Sequence, residues 1–137
     1  MIWVDQSKIS MKPLTNKTAL ITGAAGLLGP HHSAALAEIG FNLVLIDLNK
    51  KKLDIVCKEL NNRFKRIRII KHYCDIRSPK QVNKLNDNLK KAKIFVNCLV
   101  NNADINPKMI NYSKKASSSI EKYDLKKFEI LFSKILF

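Results

Sequence analysis

The stretch Thr18-Ala19-Leu20-Ile21-Thr22-Gly23-Ala24-Ala25-Gly26-Leu27-Leu28-Gly29 constrains this chain more than any other part of it. It reads as a short apolar strand, a glycine turn and the opening of a helix. The glycines stand at every third position, and each has its own physical task. Gly23 permits a tight turn off the strand. Gly26 has no side chain, so backbone can approach a pyrophosphate. Gly29 lets the helix pack closely on the sheet, with its free N–H groups aimed at phosphate oxygens. Such a triplet carries this meaning only between a strand and a helix, and the pattern here supplies both.

The same unit repeats along the chain. Residues 1–16 form a lead-in, where Pro13 argues against regular structure. After the strand Thr18–Thr22, a helix is predicted from Leu27 to about Ile39, with Leu28, Ala35, Leu36 and Ile39 as core contacts. Pro30 is tolerated in its first turn and Gly40 ends it. Phe41–Leu48 is almost continuously apolar and ends in an acid, the pattern of a parallel strand covered on both faces. Asn49–Arg63 is a second helix with Leu53, Val56 and Leu60 on one stripe. Ile67–Cys74 is a third strand. Ser78 caps a third helix with Pro79 at its first position, and that helix carries Val82, Leu85 and Leu89. Ile94–Val100 is a fourth strand leading into Asn101-Asn102-Ala103. Beyond Pro107 the regularity falls: Asn111–Ser119 is a polar loop, and Leu125–Phe137 returns to helical spacing.

Alternating strands and helices predict an α/β fold with a parallel sheet. The expected order is 3-2-1-4, a Rossmann-like, doubly wound but incomplete sheet in a three-layer α/β/α arrangement. The ligand crevice falls at the carboxyl ends of strands 1 and 4, where the order reverses. The expected organisation is a single domain, with a core over 17–107 and a loop and terminal helix over 108–137.

Around that crevice stand acids and amides. Asp47 ends strand 2, about 20 residues after the turn, where a carboxylate accepts from ribose hydroxyls and repels a 2′-phosphate. That favours NAD over NADP. The alternative is an N-cap for the next helix. Asp75 ends strand 3, where it can accept from the exocyclic amine of adenine or serve as a turn residue before Ser78. Asn101 and Asn102 either make a simple turn or tie strand 4 to its neighbours and border the nicotinamide ribose. His31 and His32 either face phosphate or form an exposed or packed pair.

Composition narrows the function classes. The 137 residues are 46% hydrophobic, ordinary for one globular domain. No apolar run spans a bilayer, and residues 1–10 lack the apolar core of a signal peptide, which points to the cytoplasm. Cys57, Cys74 and Cys98 suit neither zinc nor a disulfide framework and are expected to be reduced and mostly buried. The net charge of +14, from 25 Lys+Arg against 11 Asp+Glu, is large. The lysines are spread over helix faces without interleaved aromatic residues, so a solvated surface is expected and no specific nucleic-acid site.

With these pieces in place the chain resembles the short-chain dehydrogenase/reductase family. The matching elements are Thr22-Gly23-Ala24-Ala25-Gly26-Leu27-Leu28-Gly29, Asp47, Cys74-Asp75-Ile76 and Leu99-Val100-Asn101-Asn102-Ala103. The resemblance covers about residues 14–130. It implies an oxidoreductase that moves hydride between a nicotinamide and a hydroxyl or carbonyl carbon. It places Gly23, Gly26, Leu27, Leu28, Gly29, Asp47, Asp75, Ile76, Asn102 and Ala103 at the cofactor. Ile105-Asn106-Pro107-Lys108 resembles members acting on sugar or polysaccharide precursors.

Three departures stand out. The second glycine falls at Gly26, as in the family's longer, nucleotide-sugar-modifying branch, and the commoner branch has it where Leu27 stands here. Asp104 occupies a position usually held by a small residue beside the nicotinamide. The family's serine and its tyrosine–lysine acid/base pair are expected well after strand 4 and are not found at such a position. Tyr123 and Lys127 have the right mutual spacing but come too early. The expectation is a truncated, cofactor-binding half that does not turn over by itself, with the apolar edge of strand 4 open to association. The alternative is a non-catalytic module that binds a dinucleotide or a partner.

Overall fold

Four parallel strands and three helices organise residue 14 and residues 16–104, the part of the chain that the computed structural model describes. The chain divides into two compact units, Met1–Asn102 and Ala103–Phe137, and every element below belongs to the first. In chain order these are β1 (Thr18–Thr22), α1 (Gly29–Glu38), β2 (Asn42–Asp47), α2 (Lys50–Arg63), β3 (Ile69–Tyr73), α3 (Pro79–Lys91) and β4 (Cys98–Val100). The sheet order is β3-β2-β1-β4, all parallel, as the alternation predicts.

Strand parity divides the core in two. Ala19, Ile21, Leu43 and Leu45 pack with Ala37 of α1 and with Leu53, Val56 and Leu60 of α2. Leu20, Val44 and Ile46 point the other way and pack with Leu85 and Leu89 of α3. Both sheet faces are therefore covered, which is why β1 and β2 can be apolar at successive positions. The chain steps outward from β1 to β3 with α1 and α2 on one face. It then crosses back past β1 to β4, which puts α3 on the other. The three cysteines are free thiols, with Cys57 and Cys74 buried and Cys98 half-buried.

Local chemistry sets the helix ends. The Asn49 side chain accepts from Lys52 N at the start of α2, and Ser78 accepts from Gln81 N at the start of α3, with Pro79 in the first turn. At the end of α1, Gly40 takes φ 94°. Gly40 N donates to Ala37 O and Phe41 N to Leu36 O, the paired bonds of a Schellman ending. The end of α3 has the same bonds, Lys93 N to Lys90 O and Ile94 N to Leu89 O, although the left-handed residue there is Lys93.

The structure corrects the sequence reading at two places, α1 and β4. Helix α1 begins at Gly29, not Leu27, and its buried residues are Gly29, Ser33 and Ala37. Leu28 and Ala35 are exposed, whereas Leu36 and Ile39 pack against the core as expected, half-buried at its edge. A Cβ on Gly29 would lie 2.4 Å from Gly23 O and 2.5 Å from Ala24 C and O. The helix backbone approaches the turn so closely that the fully buried stripe of α1 is made of small residues, Gly29, Ser33 and Ala37. On α3, Leu85 and Leu89 are buried and Val82 is exposed. Strand β4 starts at Cys98, because Asn97 closes the ladder ahead of it: Thr18 N donates to Asn97 Oδ1 at 3.0 Å and Asn97 N to Thr18 O at 2.8 Å. A side chain thus occupies the β1 donor that a longer strand would use, and Phe95 is left 79% exposed. The loop and helix read over 108–137, together with Ile105, Tyr123 and Lys127, lie outside the described residues.

Gly29→Ala introduces a methyl group against three backbone atoms that cannot rotate away. It is expected to destabilise the chain by at least about 2 kcal/mol, seen as a lower urea midpoint. An unchanged midpoint contradicts the close approach.

Candidate functional site

The glycine turn is built by backbone and held by two side chains. Gly23 leaves β1 at φ 62°, a conformation side chains other than Gly rarely adopt. Ala24 N then donates to Ile46 O at 3.0 Å, and Gly26 N donates back to Gly23 O at 2.9 Å. From the β2 side, Asp47 Oδ2 accepts from Ala25 N at 2.9 Å. From the β4 side, Asn102 Nδ2 donates to Thr22 O at 3.2 Å and to Gly23 O at 3.0 Å. Asn102 N also donates to Thr22 Oγ1, which donates to Val100 O. Asn102 therefore ties the end of β4 to the end of β1.

The turn exposes unspent donors. Leu28 is the α1 N-cap and offers no side-chain hydrogen bond. Among the described residues, the amides of Leu27, Leu28, Gly29 and His31 have no hydrogen-bond partner. The first α1 amide to be paired is His32 N, to Leu28 O. Pro30 has no N–H to waste. Gly26 is exposed, and a Cβ there would crowd Gly23 O at 3.1 Å. Leu27 is 90% and Leu28 54% exposed, an apolar rim over the free amides. An anion is the group this arrangement suits, since the amides and the helix dipole both favour negative charge.

Asp47 is not the helix cap. Its Oδ1 accepts from Asn49 N at 2.8 Å, and Asn49 itself caps α2. A carboxylate has about four acceptor positions, so two remain open on Asp47 for hydroxyl donors. Asp75 sits after β3 and is half-buried. Its Oδ1 accepts from Arg77 N at 3.0 Å and Arg77 Nε at 2.9 Å, and its Oδ2 from Arg77 Nη2 at 2.7 Å. That guanidinium holds the Asp75 carboxyl below its ordinary range. Ile76 and His31 are exposed, and His32 is half-buried. Asn101 is exposed and does not share the role of Asn102. Ala103, half-buried, and Asp104, exposed, belong to the second unit.

One cluster has no counterpart in the sequence reading. Asp54 Oδ1 on α2 accepts from Lys71 Nζ and, at 2.6 Å, from Tyr73 OH, both on β3. Lys50 Nζ lies 5.2 Å from the Tyr73 ring centroid. The two donors hold the Asp54 carboxyl low, and the carboxylate raises the Tyr73 hydroxyl. The signal was the Lys71/Tyr73 alternation on one face of β3 opposite the first turn of α2.

The family model described as short chain dehydrogenase matches residues 17–133. The chain belongs to this family. It is 35% identical over 92 residues to a short chain dehydrogenase/reductase, dpchG, of Colletotrichum higginsianum, covering 67% of this chain and 34% of that protein. It is 34% identical over 95 residues to the oxidoreductase UcpA of Escherichia coli, covering 69% of this chain and 35% of that protein. The chain thus spans about a third of the length of these curated relatives. Its fold is that of an NAD+-bound xylitol dehydrogenase, with TM-score 0.66 and 23% identity over 89% of this chain and 43% of the other. It is equally that of the L-sorbose reductase of Gluconobacter frateurii complexed with NADPH and L-sorbose, with TM-score 0.66 and 20% identity over 89% and 42%. The described part carries the NAD(P)-binding fold of the short-chain dehydrogenases. Among the described residues no helix is long and apolar enough to cross a membrane.

Asn102→Ala leaves Thr22 O and Gly23 O without these donors in a part-buried place. An expected loss of about 1 kcal/mol follows, measured by denaturant unfolding. A change below about 0.5 kcal/mol contradicts the tie.

Proposed function

We propose that these residues form the dinucleotide-binding part of a short-chain oxidoreductase that prefers NAD. The observation that carries this reading is the set of four unpaired amides at Leu27, Leu28, Gly29 and His31, beside an Asp47 with acceptor positions to spare. The amides receive the pyrophosphate. Asp47 accepts from the adenosine ribose hydroxyls, and its charge opposes a 2′-phosphate. Asp75 and Ile76 border the adenine, and Asn102 the nicotinamide ribose. The bound dinucleotide supplies the carbon that gives or takes a hydride. The substrate class that fits the family resemblance is a hydroxyl or carbonyl carbon of a sugar or polysaccharide precursor.

These 137 residues by themselves bind without turning over, because a tyrosine transfers protons at neutral pH only when a neighbouring cation lowers its pKa from about 10. The family's pair for that task is not at its usual position among them.

Titration of the purified chain with NADH and NADPH tests the binding. The expected result is a saturable change in nicotinamide fluorescence with NADH, at a salt concentration that screens the +14 surface. NADPH should bind more weakly. Asp47→Ala should weaken NADH by about tenfold and remove the preference. No saturable signal, or a preference that survives Asp47→Ala, contradicts the reading. Oxidation of a secondary alcohol at a rate abolished by Tyr123→Phe contradicts the statement on turnover.

A further inference from the structure

We infer that Arg77 is a positioning residue that makes the nucleotide site selective for adenine. This rests on the dinucleotide reading above. The observation is the way Arg77 fills the Asp75 carboxylate. Oδ1 accepts two N–H groups, from the Arg77 backbone and from Nε. Oδ2 accepts one, from Nη2. With about four acceptor positions on a carboxylate, a single one is left, on Oδ2.

The carboxylate is also fixed in direction. A guanidinium fork engages both oxygens at once, which a point charge cannot do. The backbone on either side is held as well: Asp75 N donates to Gln81 Oε1 at 2.9 Å, and Ser78 N donates to Asp75 O at 3.0 Å. The Arg77 side chain is about half exposed, so the pair adds little to stability, and its consequence is geometric.

A fixed, ionised oxygen with one open position receives one N–H and nothing else. The exocyclic amine of adenine offers that N–H. Hypoxanthine presents a carbonyl oxygen at the same place, which the carboxylate repels. Its nearest donor, the ring N1–H, is displaced from the amine position. A carboxylate free to turn can follow that donor; one held by Arg77 cannot. Arg77 thus converts a general acceptor into a base-reading one without touching the base.

The test compares NADH with reduced nicotinamide hypoxanthine dinucleotide, both followed by nicotinamide fluorescence, on the full chain and on Arg77→Met and Arg77→Lys. Arg77 is exposed, so both variants should unfold at the wild-type midpoint. The expected result is a wild-type preference for NADH that falls by about tenfold in both variants, chiefly because the hypoxanthine dinucleotide binds better. Arg77→Lys keeps the charge but not the fork, so a preference retained in Arg77→Lys and lost in Arg77→Met overturns positioning in favour of charge alone. An equal preference in all three proteins overturns any role for Arg77. If the wild type binds neither dinucleotide, the parent reading fails and this one with it, a result distinct from an unchanged preference.

Discussion

The approach of the α1 backbone to the glycine turn governs this structure. At Gly29 there is no room for even one methyl group between the helix and the backbone of Gly23 and Ala24. That proximity fixes where the helix begins and makes its inner face a stripe of glycine, serine and alanine. It also sets the first helical amides against the end of β1. Ser33 Oγ reinforces the stripe by donating to Gly29 O at 2.7 Å. Two longer-range ties then hold the turn from opposite sides, Asp47 from β2 and Asn102 from β4. The consequence is preorganisation. A phosphate entering this turn meets donors already in place, and little conformational entropy remains to be lost on binding.

Much of this was legible in the sequence because the chemistry is local. Glycines at 23, 26 and 29 require backbone conformations or approaches that other residues resist. Asn49, Ser78 and Pro79 declare helix starts, and Gly40 declares an end. The unbroken apolar run of β2 requires cover on both faces, and from that the strand order follows. What escaped depends on partners distant in the chain. Asn97 shortens β4 because its side chain meets Thr18, 79 residues away. The Asp54–Lys71–Tyr73 cluster needs the packing of α2 on β3. Leu28 has the spacing of a core residue, but the close approach of α1 turns it outward. Lys93 adopts a left-handed ending that its side chain gives no reason to expect.

The carboxylates of the site show a second layer that spacing does not display. Asp47 and Asp75 both end strands on one side of β1, and their surroundings differ. Asp47 spends one acceptor position of each oxygen on backbone amides and keeps two open. Asp75 spends three on Arg77 and keeps one. The difference fits the proposed roles: an acid that receives ribose hydroxyls needs more than one position, and an acid that recognises one amine needs only one, rigidly held. In a chain of net charge +14, any polyanion is attracted at long range. On the proposed reading, selectivity rests on these fixed negative groups and on the geometry of the amides.

Amide chemical shifts of the full chain, followed by nitrogen-edited magnetic resonance as NADH is added, report directly on whether the free amides of the turn receive the dinucleotide. The Leu27, Leu28, Gly29 and His31 amides are expected to shift together and saturate at one common dissociation constant, with Asn49 following as Asp47 engages the ribose. Shifts that miss these amides, or that grow without saturation along the lysine-bearing faces of α2 and α3, contradict the dinucleotide reading.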